Sequence, residues 1–122
     1  MPITKNLANN DREWKALLRG DDRNVVRTMS EWKKLLTSRE SPLAGVNEKV
    51  VSAFSKNLKF KNGGLAHADY SMIVGVVPFS QFRRIWENFG MSLKLFTDHE
   101  GYSCLTQGTC QKMADYICLS NC

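Results

Sequence analysis

Leu65-Ala66-His67-Ala68-Asp69-Tyr70-Ser71-Met72-Ile73-Val74-Gly75-Val76-Val77 is the stretch on which the fold turns. Read as a helix, it completes a helical bundle; read as a strand, it starts a sheet. Residues 70–77 are apolar almost throughout, so periodicity does not separate a buried helix from a buried strand. The β-branched Ile73, Val74, Val76 and Val77 favour a strand. Leu65, Ala66 and Ala68 are helix formers, and Asp69 suits a first helical turn. The balance predicts a helix that starts near Leu65, is buried on several sides and ends at Pro78.

Upstream, Gly63-Gly64 supplies the conformational freedom of a sharp reversal and marks a subdomain seam near 62–64. Before it, Trp14, Leu17 and Leu18 recur at helical spacing over 10–18, with Asn10 or Asp11 as cap and Gly20 as stop. A second helix is expected from Asp21-Asp22, placing Val25, Val26, Met29, Trp32, Leu35 and Leu36 on one stripe. Ser41-Pro42 reads as cap and first helical position of a third, which carries Leu43, Val46, Val50, Val51 and Phe54 to about residue 56.

Downstream, Phe79, Phe82, Ile85, Trp86 and Phe89 describe an amphipathic helix capped by Gly90. Residues 92–96 alternate like a strand, Asp98-His99-Glu100-Gly101 reads as a turn, and 102–105 as the returning strand. This order, with Arg83-Arg84 on the polar side of the helix, resembles a recognition helix followed by a wing, in shape alone. Thr109 is placed to cap a last helix bearing Met113, Tyr116 and Ile117. The expected fold is mainly α within an α+β class. One domain spans 1–122, with about five helices around one core and a small C-terminal β-hairpin. Trp14, Trp32 and Trp86 fall on apolar faces and belong to that core rather than to a stacking platform.

The chain has 122 residues, enough for a core of its own, and is 43% hydrophobic and 24% charged. No apolar run reaches the roughly 18 to 20 residues of a membrane span. Met1-Pro2-Ile3-Thr4-Lys5 lacks a secretory signal, which reads as intracellular if the chain is complete and secreted if a signal has been removed. Charge is uneven. Residues 1–61 hold thirteen Lys/Arg against seven Asp/Glu, whereas 62–122 hold four against five. A basic first half attracts nucleic acid or an acidic protein surface.

All four cysteines, Cys104, Cys110, Cys118 and Cys122, lie in the last nineteen residues. Their separations of five, seven and three residues lack the paired knuckles of zinc sites, so no metal is expected. They are disulfide candidates. Cys104 to Cys118 or Cys110 to Cys122 would tie hairpin to terminal helix, and buried free thiols fit the spacing as well. His99 lies between Asp98 and Glu100 in a polar turn, and His67 stands near Asp69; neither has a partner motif for catalysis. No dinucleotide or phosphate loop is present, and no cofactor is expected.

The expectation is a non-enzymatic binding module. Arg12, Lys15, Arg19, Arg23, Arg27, Lys33 and Lys34 would line two adjacent helices and neutralise nucleic-acid phosphates. The alternative is a small cysteine-stapled protein interaction or secreted effector-like domain, with a binding surface that includes apolar residues near Phe79 and Phe96.

Overall fold

In the computed structural model, which describes residues 7–22 and 24–122, the chain reverses at Asn62-Gly63 into a β-hairpin. Asn62 and Gly63 have φ of 52° and 99°, the paired positive values of a tight two-residue hairpin turn. A Cβ on Gly63 would lie 2.5 Å from the Leu18 carbonyl oxygen, so the position needs glycine for its packing as well as its φ. β1 (Lys59–Lys61) and β2 (Gly64–Asp69) flank the turn.

The helix expected over 65–77 is thus replaced by a strand followed by turns. β2 is an inner strand with both faces covered: Leu65, Ala66 and Ala68 are all buried. Such burial erases the alternation that would have marked it. The β-branched residues lie beyond it, in the turns at 71–77, where Ile73 is buried and Val74 and Val76 are half exposed.

Five helices flank the sheet: α1 (Asp11–Arg19), α2 (Met29–Leu36), α3 (Glu48–Lys56), α4 (Phe79–Asn88) and α5 (Leu93–His99). Asn10, one of the two caps that the sequence offered, starts α1 by accepting from the Glu13 N–H at 2.9 Å. α2 starts later than expected. Val26 N–H donates to the Asn88 carbonyl at 2.8 Å, which takes it out of any helix, and Thr28 then caps Glu31 N–H. α3 also starts late, because Ser41 and Leu43 close a turn and Gly45 sits at φ 85° before the Asn47 cap. Both apolar stripes pack on the core, with Trp32, Leu43 and Phe54 buried and Met29, Leu35, Val46 and Val50 partly so, but their N-terminal thirds are turns.

The 92–105 hairpin and the terminal helix are not formed. Ser92 accepts from the Leu95 N–H at 3.2 Å and starts α5, so Leu95 and Phe96, adjacent in sequence, are both buried. The hairpin comes later: β3 (Glu100–Thr106) and β4 (Thr109–Cys118) join at Gln107-Gly108, with Gly108 at φ 78°. With α5 intervening, the helix-then-wing order does not arise. The sheet runs β1-β2-β4-β3, with each neighbouring pair antiparallel. The architecture is α+β with a four-stranded sheet, not a helical bundle carrying one hairpin.

One hydrophobic core joins the helices to the sheet. Trp14, Trp32 and Trp86 are almost fully buried in it. Trp86 stacks on Phe96 at 4.9 Å between ring centroids and meets Phe54 and Phe82 edge-on. Trp32 Nε1 donates to Ser55 Oγ at 2.8 Å. Trp14 Nε1 donates to Asn121 Oδ1 at 2.9 Å, and Asn121 Nδ2 donates to the carbonyls of Lys61 at 2.8 Å and Leu65 at 3.2 Å. Asn121 therefore fastens the tail to α1 and to the β1–β2 hairpin, so residues 62–64 lie in a turn that three parts of the chain hold in place.

Candidate functional site

β4 is not a straight strand. Eight residues fully extended would span about 26 Å. Cys110 and Cys118, eight apart, instead have Cα atoms separated by 6.0 Å and are disulfide-bonded. Between the pairs Tyr102↔Lys112 and Glu100↔Ile117, β4 inserts residues 113–116 opposite residue 101. Asp115 there adopts φ 66°, and its carbonyl accepts from the Tyr70 N–H at 2.9 Å. This reversal returns Cys118 to Cys110, and a turn at 119–122 brings Cys122 to Cys104, with Cα atoms 5.9 Å apart.

The two bridges are thus Cys104–Cys122 and Cys110–Cys118, a connectivity that contains neither Cys104–Cys118 nor Cys110–Cys122, the pairings expected to tie a hairpin to a terminal helix. The Sγ atoms of Cys104, Cys118 and Cys122 lie within 4.8 Å of one another, so the bridges crowd together. Gly108 N–H donates to the Cys122 carbonyl at 2.7 Å, closing the hairpin tip onto the tail.

His99 ends α5, and its Nε2 lies 2.7 Å from Asp11 Oδ1, which joins α5 to α1. Cys104 offers it no thiolate, being bridged. His67, in β2, is flanked across the sheet by Lys59 and Cys118 and stacks on Tyr116 at 5.4 Å. Burial, with the Lys59 charge, pushes its pKa below the usual imidazole value, partly opposed by Asp69.

The predicted basic face is divided. Arg12, Lys15 and Arg19 are exposed on α1 at i, i+3 and i+7, one side of the helix, and no ion pair among the described residues uses them. Lys33 and Lys34 are exposed in the last turn of α2. Arg27 is an internal tie: its Nη1 donates to the carbonyls of Leu17 at 2.8 Å and Gly63 at 3.0 Å. Arg23 lies outside the described residues. α1 and α2 do not form a closely packed hairpin.

Between the entry to α2 and the β1–β2 hairpin opens a cavity of about 960 Å³. Met29, Leu58 and Phe60 supply apolar wall, Arg27, Lys59 and Lys61 supply cations, and the Cys104–Cys122 bridge closes one side. His67 also lines it. Its size is that of a small-molecule site.

Comparison with family models, curated proteins and solved structures finds no match. The chemistry of the chain therefore rests on its own geometry. Sequence reasoning missed Lys59, Lys61 and His67 as a spatial group, and Asn121 as the tie that holds the tail. A signal was present for part of it: Asn62-Gly63 after the alternating Lys59-Phe60-Lys61 is a hairpin signature that sets both lysines on one face. Asn121 carried no local signal.

Proposed function

We infer that this chain is a non-enzymatic interaction domain closed by disulfides, acting in an oxidising compartment. The pairing of all four cysteines carries the reading, because paired structural cysteines persist where thiols are not kept reduced. A protein-facing surface is supported by exposed apolar side chains at Val74, Val76 and Phe79, the last 61% exposed at the start of α4. Phe96, expected on that surface, is buried instead. No helix of the described residues is long and apolar enough to cross a membrane.

A second reading, nucleic-acid binding, is favoured by Arg12, Lys15 and Arg19 on one exposed side of α1, with Lys33 and Lys34 as further cations. Arg27 contributes little to it, being bound to backbone carbonyls.

The deciding experiment pairs intact mass with binding. Protein secreted from an oxidising compartment should lack four hydrogens relative to the reduced chain; a full complement of thiols overturns the interaction reading as stated. Fluorescence anisotropy with single- and double-stranded oligonucleotides then separates the partners. Weak binding that vanishes at physiological salt fits the interaction domain. Tight binding that drops about tenfold when Arg12, Lys15 and Arg19 become Gln transfers the conclusion to nucleic acid.

A further inference from the structure

We propose that the cavity between α2 and the β1–β2 hairpin is a binding site for a small organic acid, an apolar body carrying a carboxylate or comparable oxyanion. The proposal is independent of which macromolecule the surface engages.

Three observations converge on it. The first is the combination of size and lining. A cavity of about 960 Å³ walled by Leu58 and Phe60 suits an apolar body, and its rim holds Arg27, Lys59 and Lys61. The second is charge. Glu31 is the one acidic side chain among the lining residues, and its Oε1 accepts from the Arg27 backbone N–H at 2.7 Å. Arg27, Lys59 and Lys61 outnumber it, so the lining keeps a net positive charge.

The third is an unmet demand for hydrogen bonds. Arg27 Nη1 is satisfied by the Leu17 and Gly63 carbonyls, but Nη2 is buried without a partner among the described residues. His67 Nε2 is buried and unpartnered in the same way. Leaving such a group unpaired costs about 1–3 kcal/mol each. Buried polar atoms in native proteins are nearly all satisfied by protein, water or ligand. Neither nitrogen is open to water as the side chains stand, so an acid in the cavity meets the exposed Lys59 and Lys61 first, which make no ion pair among the described residues, and it answers the unmet demand of Arg27 and His67 as those side chains turn toward it.

The site departs from a phosphate cradle. The N-terminus of α2 lines the cavity but is closed by its own cap, Thr28 Oγ1 accepting from the Glu31 N–H and Glu31 Oε1 from the Arg27 backbone N–H. The cations are side chains above an apolar floor, which favours an amphiphile over inorganic phosphate.

The test uses the full oxidised chain and two matched probes: anionic 8-anilinonaphthalene-1-sulfonate and uncharged N-phenyl-1-naphthylamine. Fluorescence titration should give saturable one-to-one binding of the anion, about tenfold tighter than the neutral probe. Lys59→Gln with Lys61→Gln, both exposed on β1, should remove about that factor with the circular dichroism spectrum unchanged. The ring resonances of His67 should shift during titration, while those of His99 stay fixed. Equal affinity for both probes, an unaltered affinity in the lysine variant, or a silent His67 would each overturn the proposal. So would the absence of saturable binding.

Discussion

Asn121 shows how much one side chain can hold. It accepts from Trp14 Nε1 and donates to the Leu65 carbonyl in buried bonds, and to the Lys61 carbonyl in a part-buried one. Asn121→Ala should destabilise the protein by about 3 kcal/mol, since it orphans a buried indole N–H and two carbonyls at once. Urea unfolding measures this; a loss under about 1 kcal/mol would mean that water replaces the amide. His67 has the opposite character, a ring whose folded state resists protonation. The unfolded chain takes up that proton near pH 6.5, the folded chain only at lower pH. The His67 contribution is therefore complete above the unfolded value and is lost as pH falls through the depressed folded one. Urea midpoints at about pH 7.5 and about pH 5 should fall for the native protein and fall less for His67→Gln. Neither role was readable from neighbours in sequence. Asn121 acts on residues 56 to 107 positions away, and His67 is shaped by Lys59 and Tyr116 on adjoining strands.

The elements divide by where their hydrogen bonds go. α1, with its Asn10 cap, and α4, ending before Gly90 at φ 91°, follow their local signals closely. The segment before α2 carries helical spacing, yet Val26 bonds the end of α4, and the spacing reports burial without helix. Residues 92–96 and 109–118 exchange their predicted types. A five-residue apolar stretch fits either period, and the partner settles it: Ser92 finds the Leu95 N–H, whereas 109–118 finds β3 and then β2. The β1–β2 turn is the element most exposed to single changes. Gly63→Ala should cost about 2 kcal/mol, from a strained φ and a Cβ driven against the Leu18 carbonyl. Thermal unfolding of Gly63→Ala beside Gly75→Ala provides the check. Gly75 shares a positive φ of 79° but has no atom within 4 Å of the added Cβ, so its loss should be smaller.

For the whole molecule, one aromatic core and two crowded disulfides share the task of stability. The bridges close loops of 18 and 8 residues within the tail, and Cys104, Cys118 and Cys122 pack in a small cluster separate from the one that holds Trp32, Phe54 and Trp86. Reduction should therefore leave the protein folded but weaker, by about 3 kcal/mol for the longer loop in the chain-entropy account. Near-ultraviolet circular dichroism that survives reductant, with a lower urea midpoint, is the expected result; loss of the tryptophan signal would place the staple inside the fold's minimum. Sequence alone determined the buried tryptophans, the caps of α1 and α4, the basic first half and the clustering of cysteines, because composition, spacing and capping act over a few residues. Tertiary structure decided that 64–69 and 109–118 are strands, which cysteines pair, and that Arg27 and His67 line one cavity. Those outcomes depend on hydrogen bonds and burial between segments far apart in the chain, and short-range periodicity carries no record of them.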